Sequence, residues 1–412
     1  MHGLRYEPVS FVTNLLNSYG DIVRLRFGER ELYLLGNPKF IREIFLGDRR
    51  SFAKRKDPEA EQRYLNGISG FVTLFDETLI PGYAPGMAEA ARRAHQRWSE
   101  LYAANGPFEV DMYREIGAIM FEIVARTVFA VDAHNEAAAL FDAILAMDHG
   151  YGFNPVEATL GVLMPDPDIT ISAQSREARG FVQEYVERLA ADEQERSSGS
   201  FLGRIVHSIG LENAIPTAMS LLFAFHEVTA TTIPWAWYNL ALNPALDHSL
   251  SNELTQVLGS REPDYQDIPV LSYTRMLLSE ARRLYPVVWA VGRFIRQDVW
   301  FDGYRVPPGS IVLASQHVTH RDKRFYRDPE RFDPARWTAE AIASRPDFSY
   351  FPFSAGPRAC AGKAFADLLD PLVFSTLAQH WKAKLVGDQQ PTAVPQKSSA
   401  PRPGMRMTLQ PR

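Results

Sequence analysis

The 412-residue sequence lacks the features that would place it in a membrane, outside the cell or on nucleic acid. It has one cysteine, so it cannot form an internal disulfide, and this suits a reducing cytoplasm. The net charge of -5 leaves no basic footprint for nucleic acid. The opening stretch MHGLRYEPVSFVTNLL is not a signal peptide, and the apolar run Ala218 to Phe225 is far shorter than the ~20 residues that cross a bilayer. We therefore expect a soluble, cytoplasmic protein that binds neither nucleic acid nor membrane.

The sequence does have the composition of a globular protein, with 46% apolar and 23% charged residues. The stretch DIVRLRFGERELYLLG predicts two antiparallel strands around a turn, and NPKFIREIFLG predicts a helix. The stretch LENAIPTAMSLLFAFHEVTATTIPWAWYNLALNP is apolar on nearly every face, which predicts a buried helix through the core. Strands follow in VWFDGYRVPPGSIVLAS. We expect one domain, residues 1–412, that is mainly α with small β-sheets at one side.

The only cysteine, Cys360, lies in FPFSAGPRACAG, at what the pattern predicts as the first turn of a helix running from about Ala361 to Trp381. A helix N-terminus favours a negative sulfur, and thiolate is the form that binds metal. Gly356 and Gly362 would let a flat ligand lie against the backbone, and Arg358 could pair with an acidic group on it. Together these residues indicate a haem whose iron is held by thiolate. The alternative is a buried structural cysteine, the commoner fate of a lone thiol.

FPFSAGPRACAG resembles the haem-binding signature of the cytochrome P-450 family at Phe353, Gly356, Arg358, Cys360 and Gly362. The resemblance extends from YGDIVRLRFG to the end of the chain. It implies the cytochrome P-450 fold, with haem b between a long central helix and the cysteine-bearing helix. It also implies Cys360 as the iron ligand and, in most members, oxygen activation.

Other positions resemble the family outside the signature. EARR matches its Glu-x-x-Arg helix at Glu280 and Arg283, and DPERFDPARW matches its arginine loop, which we assign to Arg331. The resemblance implies that these three residues form a structural ion-pair network behind the haem; the alternative is a solvated surface pair. Arg293, in AVGRF, resembles a position that contacts a haem propionate. Its alternative is an exposed strand arginine.

The central helix departs from the family pattern Ala-Gly-x-acid-Thr-Thr. Phe225 replaces the glycine that opens a groove for oxygen, and Val228 replaces the threonine whose hydroxyl steadies oxygen and water. Glu227 is retained, Thr229 lies about 100° further round the helix, and His226 could donate protons near neutral pH. Glu227, Thr229 and His226 are therefore the candidate catalytic residues. The alternative for His226 is a hydrogen-bonded core histidine.

A second departure from the family lies before the predicted helix GYAPGMAEAARRAHQRW. The stretch GFVTLFDETLIPGYAPGM runs straight into this helix, with no other helix between them. Members of the family carry a helix here that touches a haem propionate and forms much of the face that docks the electron donor. Roughly twenty residues are missing against that pattern (connecting loops are usually short in any case). The resemblance then implies fewer charges on the haem and an altered docking face.

The substrate pocket can be sketched by resemblance alone, and plain core packing is the alternative for each position. Its expected lining is Phe71, Phe223, Phe225, Val228, Val287, Val288, Trp289 and Ser399.

Three functions remain open. The first is a bacterial haem-thiolate monooxygenase that receives electrons from ferredoxin and ferredoxin reductase and acts on a small or medium organic molecule in specialised metabolism. The second is haem chemistry other than hydroxylation, namely peroxide-driven oxidation, rearrangement, dehydration or coupling, which would suit the changes at Phe225 and Val228. The third is a non-catalytic relative that assists a partner enzyme, which retention of Cys360 disfavours.

Overall fold

The structure is a computed structural model that describes residues 7–27, 30–48, 50–54, 57–59, 75–150, 172–196, 200–393 and 399–412. Within these ranges the chain is mainly helical with small sheets, so the predicted fold class is confirmed. The helices are α1 (Pro8–Tyr19), α2 (Pro38–Leu46), α3 (Ile80–Asn105), α4 (Met112–Val128), α5 (Ala137–Gly150), α6 (Ala173–Arg196), α7 (Phe201–Ile209), α8 (Leu211–Leu242), α9 (Pro244–Leu258), α10 (Ser272–Leu284), α11 (Gln316–Thr319), α12 (Ala339–Ala343) and α13 (Lys363–His380).

Helix boundaries follow from capping residues in the sequence. The Asn37 side chain accepts a hydrogen bond from the Lys39 N–H at 3.0 Å, and Pro38 opens α2. Asn243 caps α9 in the same way, with Pro244 in the first turn. Proline lacks the N–H that a first turn leaves unpaired, so Asn-Pro starts a helix at both places, and at Asn243 it also ends α8.

The central helix α8 is 32 residues long and packs against α4, α6 and α10. Trp235 and Trp237 on this helix are buried, as its apolar faces predict. Helix α13 lies against α3 and also contacts α8. The core therefore surrounds α8, with α13 close beside it.

The strands are β1 (Ile22–Phe27), β2 (Arg30–Leu35), β3 (Phe52–Ala53), β4 (Phe108–Asp111), β5 (Val291–Ile295), β6 (Val299–Phe301), β7 (Tyr304–Val306), β8 (Ile311–Ala314), β9 (Trp381–Leu385), β10 (Thr392–Ala393), β11 (Pro401–Arg402) and β12 (Arg406–Pro411). The largest sheet has the order β1-β2-β8-β5-β3, and β1 pairs antiparallel with β2 as predicted. In its edge pair, Phe52 lies opposite Ile295 and Ala53 opposite Phe294. This register brings β3 beside the strand that carries Arg293.

Residues 75–79 form a turn, and α3 begins at Ile80. Within the turn, the Leu79 N–H donates to the Asp76 carbonyl at 2.9 Å, and the Thr78 N–H donates to the Asp76 carboxylate at 2.9 Å. The segment before it, 60–74, lies outside the described residues, so the missing helix stays a prediction. Among the helices described, none is both long and apolar enough to cross a membrane.

Candidate functional site

The loop that carries Cys360 is closed by backbone hydrogen bonds. The Cys360 N–H donates to the Phe353 carbonyl at 2.9 Å, and the Ala359 N–H donates to the Gly356 carbonyl at 2.9 Å. The prediction that Cys360 lies in the first helical turn is wrong, because α13 begins at Lys363. Residues 356–358 form a 3-10 turn and Ala359 then returns to extended backbone, so the helix starts only after the cysteine.

The two glycines of this loop meet different constraints. Gly356 has φ +68°, and a Cβ there would lie 2.4 Å from the Phe45 carbonyl oxygen, so the fold itself requires glycine. At Gly362 a Cβ would make only ordinary contacts, 3.6 Å from the Phe75 ring and 3.8 Å from the Cys360 Sγ. A Cβ at this position would therefore fit without displacing a neighbour, so the backbone does not require glycine here.

Cys360 is exposed to solvent, yet protein atoms surround the sulfur closely enough for burial to raise the pKa of its thiol. A hydrogen bond from the Gly362 backbone N–H and the charge of Lys54 act in the opposite direction. Solvent access to the residue and an N–H donor to the sulfur suit a thiolate that binds the iron of a flat ligand. These residues therefore fit a haem.

Arg358 contacts β3 and Arg293 contacts α2. Arg358 Nη1 donates to the Phe52 carbonyl at 2.9 Å. Arg293 is 2% exposed, its Nη1 donates to the Gly292 carbonyl at 2.8 Å, and its guanidinium carbon lies 5.6 Å from the Phe45 ring centroid. The alternative of an exposed strand arginine is therefore wrong for Arg293.

Glu280 and Arg283 form the predicted buried pair, and both side chains are 0% exposed. Arg283 Nε and Nη2 each donate to the Glu280 carboxylate at 2.8 Å, in a bidentate arrangement. The backbone N–H of Asp333 and the indole N–H of Trp337 donate to the same carboxylate at 2.9 and 3.0 Å. The solvated-pair alternative is thereby excluded.

The assignment of Arg331 as the third member is wrong. Residue 331 is exposed, and it contributes its backbone carbonyl, which accepts from Arg283 Nη2 at 3.2 Å. The guanidinium beside Glu280 belongs to Arg336, whose Nε lies 3.3 Å from the carboxylate. The physical reason is the 3-10 turn Pro334–Trp337, which directs Arg336 back toward α10.

The residues predicted to line a substrate pocket do not share one environment. Trp289 is buried and packs among side chains of α1 and the large sheet, whereas Val288 is 42% exposed and Val287 is half-buried. Ser399 is buried, with its hydroxyl donating to the Pro286 carbonyl at 2.7 Å. The plain-core alternative is confirmed for Trp289.

Of the remaining predicted residues, Phe225 is the one whose side chain the structure describes. Its ring is 8% exposed and contacts the rings of Phe75 and Phe365. Phe71 lies outside the described residues. For the others the backbone belongs to α8 but the side chains lie outside the described part; they are Phe223, His226, Glu227, Val228 and Thr229.

A groove of about 590 Å³ opens beside the cysteine loop. Arg275, Arg282, Lys363 and Asp367 line it together with the Phe353 ring. The Arg282 guanidinium carbon lies 5.2 Å and the Lys363 nitrogen 6.0 Å from the centroid of that ring. Two cations therefore lie beside the ring of Phe353, the first position at which the chain matches the haem-binding signature.

Sequence reasoning missed the buried pair of Arg282 and Asp370. Arg282 Nη2 donates to Asp370 Oδ2 at 2.7 Å, and Asp370 is 2% exposed. Burial raises the pKa of Asp370 to about 6, although Arg282 and a hydrogen bond with Thr232 of the central helix oppose this shift. The first arginine of EARR, Arg282, was visible, but its acidic partner stands 88 residues away, so no local pattern joins them.

Comparison with known proteins supplies the family. A sequence profile for cytochrome P-450 matches residues 1–409. Cyclooctatin synthase of Streptomyces melanosporofaciens is 28% identical, over 98% of this chain and 90% of that protein. Cyclooctat-9-en-7-ol 5-monooxygenase of the same organism is 24% identical over 92% and 86%, and pentalenene oxygenase of Streptomyces avermitilis is 24% identical over 93% and 88%.

The first alignment covers 431 positions, more than the 412 residues of this chain, so the relative has residues that this chain lacks. Even so, the profile match spans nearly the whole sequence. With the cysteine loop and the Glu280–Arg283 pair in place, the chain belongs to the cytochrome P-450 family of haem-iron oxidoreductases, whose monooxygenases act on small molecules.

Proposed function

We propose that this protein is a haem-thiolate monooxygenase that oxidises an apolar cyclic terpenoid in bacterial specialised metabolism, as a single cytoplasmic domain carrying haem b. Three relatives support the pathway, two of them named as oxygenases, of cyclooctat-9-en-7-ol and of pentalenene. The single observation that carries the chemistry is the loop around Cys360, an exposed residue whose sulfur accepts a hydrogen bond from the Gly362 backbone N–H.

The proposed role of the loop is to position the Cys360 sulfur and to stabilise it as a thiolate. The hydrogen bond from Cys360 N–H to Phe353 fixes the backbone, and the Gly362 N–H stabilises the negative sulfur. Arg358 and Arg293 are the cations proposed to pair with the haem propionates, since both lie where the large sheet meets the loop. Haem bound through thiolate would supply oxygen activation, because thiolate donation favours O–O cleavage.

The proposed electron donors are a ferredoxin and its reductase. The candidates for proton delivery are the α8 residues Glu227, Thr229 and His226, since valine at position 228 has no hydroxyl.

A second candidate is haem chemistry driven by peroxide, or a rearrangement, dehydration or coupling. The observation that favours it is the pair of sequence changes at Phe225 and Val228, which replace the glycine and the hydroxyl of the usual oxygen-handling helix. A non-catalytic role is disfavoured because Cys360 is retained.

Turnover assays separate these functions. We expect purified haem-loaded protein to oxidise cyclic terpene hydrocarbons or alcohols with ferredoxin, reductase and NADPH, and Cys360→Ser to abolish the reaction. Turnover with peroxide alone, and none with the electron donors, would favour the second candidate. Val228→Thr should raise product formed per NADPH, with Val228→Ile as the control that adds no hydroxyl. An unchanged ratio would show that protons do not pass through position 228.

A further inference from the structure

His320, the residue after α11, contacts both the buried ion pair and the start of the cysteine loop. Its backbone carbonyl accepts a hydrogen bond from Arg283 Nη1 at 2.8 Å. Its imidazole Nε2 accepts the backbone N–H of Phe351 at 3.0 Å. The residue is 0% exposed, and its ring packs against those of Tyr350 and Phe351 at centroid distances of 5.0 and 5.2 Å. One residue therefore connects the buried ion pair to the backbone of the cysteine loop.

The contact with Phe351 requires a neutral imidazole. Because an N–H group points at Nε2, that nitrogen has to offer a lone pair, and the ring proton lies on Nδ1. Burial holds the pKa of His320 well below its ordinary value, and the charges of Arg283, Arg321 and His317 act in the same direction. The ring is therefore neutral at neutral pH. Nδ1 has no hydrogen-bond partner among the described residues, so within them the ring spends its hydrogen bonding on the loop.

Hydrogen bonds within the loop continue from this contact toward the sulfur. The Phe351 carbonyl accepts from the Ser354 N–H at 3.0 Å, and the Phe353 carbonyl accepts from the Cys360 N–H at 2.9 Å. Between these bonds, Ser354 and Gly356 have φ of +59° and +68°, which is costly for serine. Such a backbone persists only where surrounding contacts fix it, and the imidazole fixes the end that precedes it.

Two tyrosine hydroxyls hold the residues just before the loop. Tyr326 donates to the Ser349 carbonyl and Tyr350 donates to the Ser279 carbonyl, both at 3.2 Å. Of these three side-chain contacts, that of His320 lies nearest to the cysteine in the chain, and it is the one that binds a main-chain N–H.

We propose that His320 is a positioning residue for the iron ligand, which holds the Phe351 end of the cysteine loop through Nε2 and so keeps the Cys360 sulfur in place to bind haem iron. This inference rests on the haem-thiolate function proposed above. It gives the buried ion pair a role beyond stability, since Arg283 positions the backbone of His320 while the imidazole positions the loop.

The stability of the thiolate bond tests the proposal without using enzyme activity. Haem-loaded wild type, His320→Leu and His320→Gln are reduced, bound to carbon monoxide and held at one urea concentration below all their unfolding transitions, and loss of the thiolate Soret band is timed. Both substitutions remove the ring, but only glutamine places an acceptor oxygen near the position of Nε2. We expect His320→Leu to lose the band about tenfold faster than the wild type, because the buried Phe351 N–H is left unpaired, and His320→Gln to stay within about twofold. His320→Phe, which keeps an aromatic ring without the acceptor, serves as the test if His320→Leu does not fold.

The matched control is Leu409→Ala, which truncates a 0% exposed side chain on β12, in a different sheet. It should lower the free energy of unfolding by an amount similar to His320→Leu, while the band is lost at the wild-type rate. Hydrogen exchange of the amides from Phe351 to Cys360 should be faster in His320→Leu and unchanged in Leu409→Ala. Equal rates of band loss for His320→Leu and His320→Gln, or for His320→Leu and Leu409→Ala, would overturn the proposal. A wild-type protein that binds no haem would instead overturn the haem-thiolate function itself.

Discussion

Glu280 accepts the hydrogen bonds at the centre of the buried network, so removing its charge tests most directly whether this network stabilises the fold. Its carboxylate, 0% exposed, receives hydrogen bonds from Arg283, from the Asp333 N–H and from the Trp337 indole, and Arg336 lies 3.3 Å away. Glu280→Gln keeps the shape of the side chain. It turns one accepting oxygen into an NH₂ group that faces other donors, and it leaves buried guanidinium charge without its counterion.

The expected loss is about 3–5 kcal/mol in the free energy of unfolding, the usual cost of breaking a buried ion pair from one side. A typical domain has only about 5–15 kcal/mol in total, so the variant should be near the limit of folding at 37 °C. Urea denaturation of the haem-loaded protein at neutral pH measures this loss, and haem content per chain should fall with it.

Glu330→Gln is the matched control, because Glu330 also pairs with an arginine but is 73% exposed. Its expected loss is at most about 1 kcal/mol, since solvent screens the exposed Glu330 carboxylate and Arg321, whose side chain is 14% exposed, still donates to the Leu284 carbonyl. If the two variants lost the same stability, the buried network would not support the fold in the way argued here.

Three further predictions concern the loop and its neighbours. Gly356→Ala should lower the free energy of unfolding, measured by urea denaturation, by about 1–3 kcal/mol more than Gly387→Ala does. Both glycines have positive φ, but only at position 356 would the Cβ meet a carbonyl oxygen. Equal losses for the two variants would contradict this. Asp370 has a pKa raised to about 6, so the native state binds its proton more tightly than the unfolded state does. The free energy of unfolding should therefore fall as pH rises from about 4 to 6. Asp370→Asn should lack that part of the pH profile, and an unchanged profile would refute the prediction. Arg336→Leu should lower the urea midpoint far more than Arg331→Leu, and the reverse order would restore the original assignment.

Much of the fold could be predicted because its signals are local. The hairpin of β1 and β2 follows from alternation around a turn, and the limits of α2 and α9 follow from Asn-Pro caps. The Glu280–Arg283 pair is also local, because residues three apart on a helix share a face.

The errors arose where local patterns allow two answers. Arg331 and Arg336 stand in one ten-residue stretch, and only the 3-10 turn at Pro334–Trp337 decides which guanidinium reaches Glu280. The start of α13 was misplaced for a similar reason, since the extended backbone at Ala359 is not encoded by an obvious helix stop.

Contacts between distant segments were beyond sequence reasoning. Nothing near Phe225 indicates that its ring meets Phe75 and Phe365, which are 150 and 140 positions away. In the same way, the depth at which Trp289 packs against the large sheet depends on the assembled fold. A single sequence supplies apolar residues but not the partner that each will bury.

The central claim is that the Cys360 sulfur binds haem iron as an anion, and a carbon monoxide difference spectrum of the reduced protein tests it most directly. The wild type should show the long-wavelength Soret band of a thiolate-ligated haem, and Cys360→Ser should lose it. A colourless wild-type protein, or a spectrum that is unchanged by the serine substitution, would contradict the account.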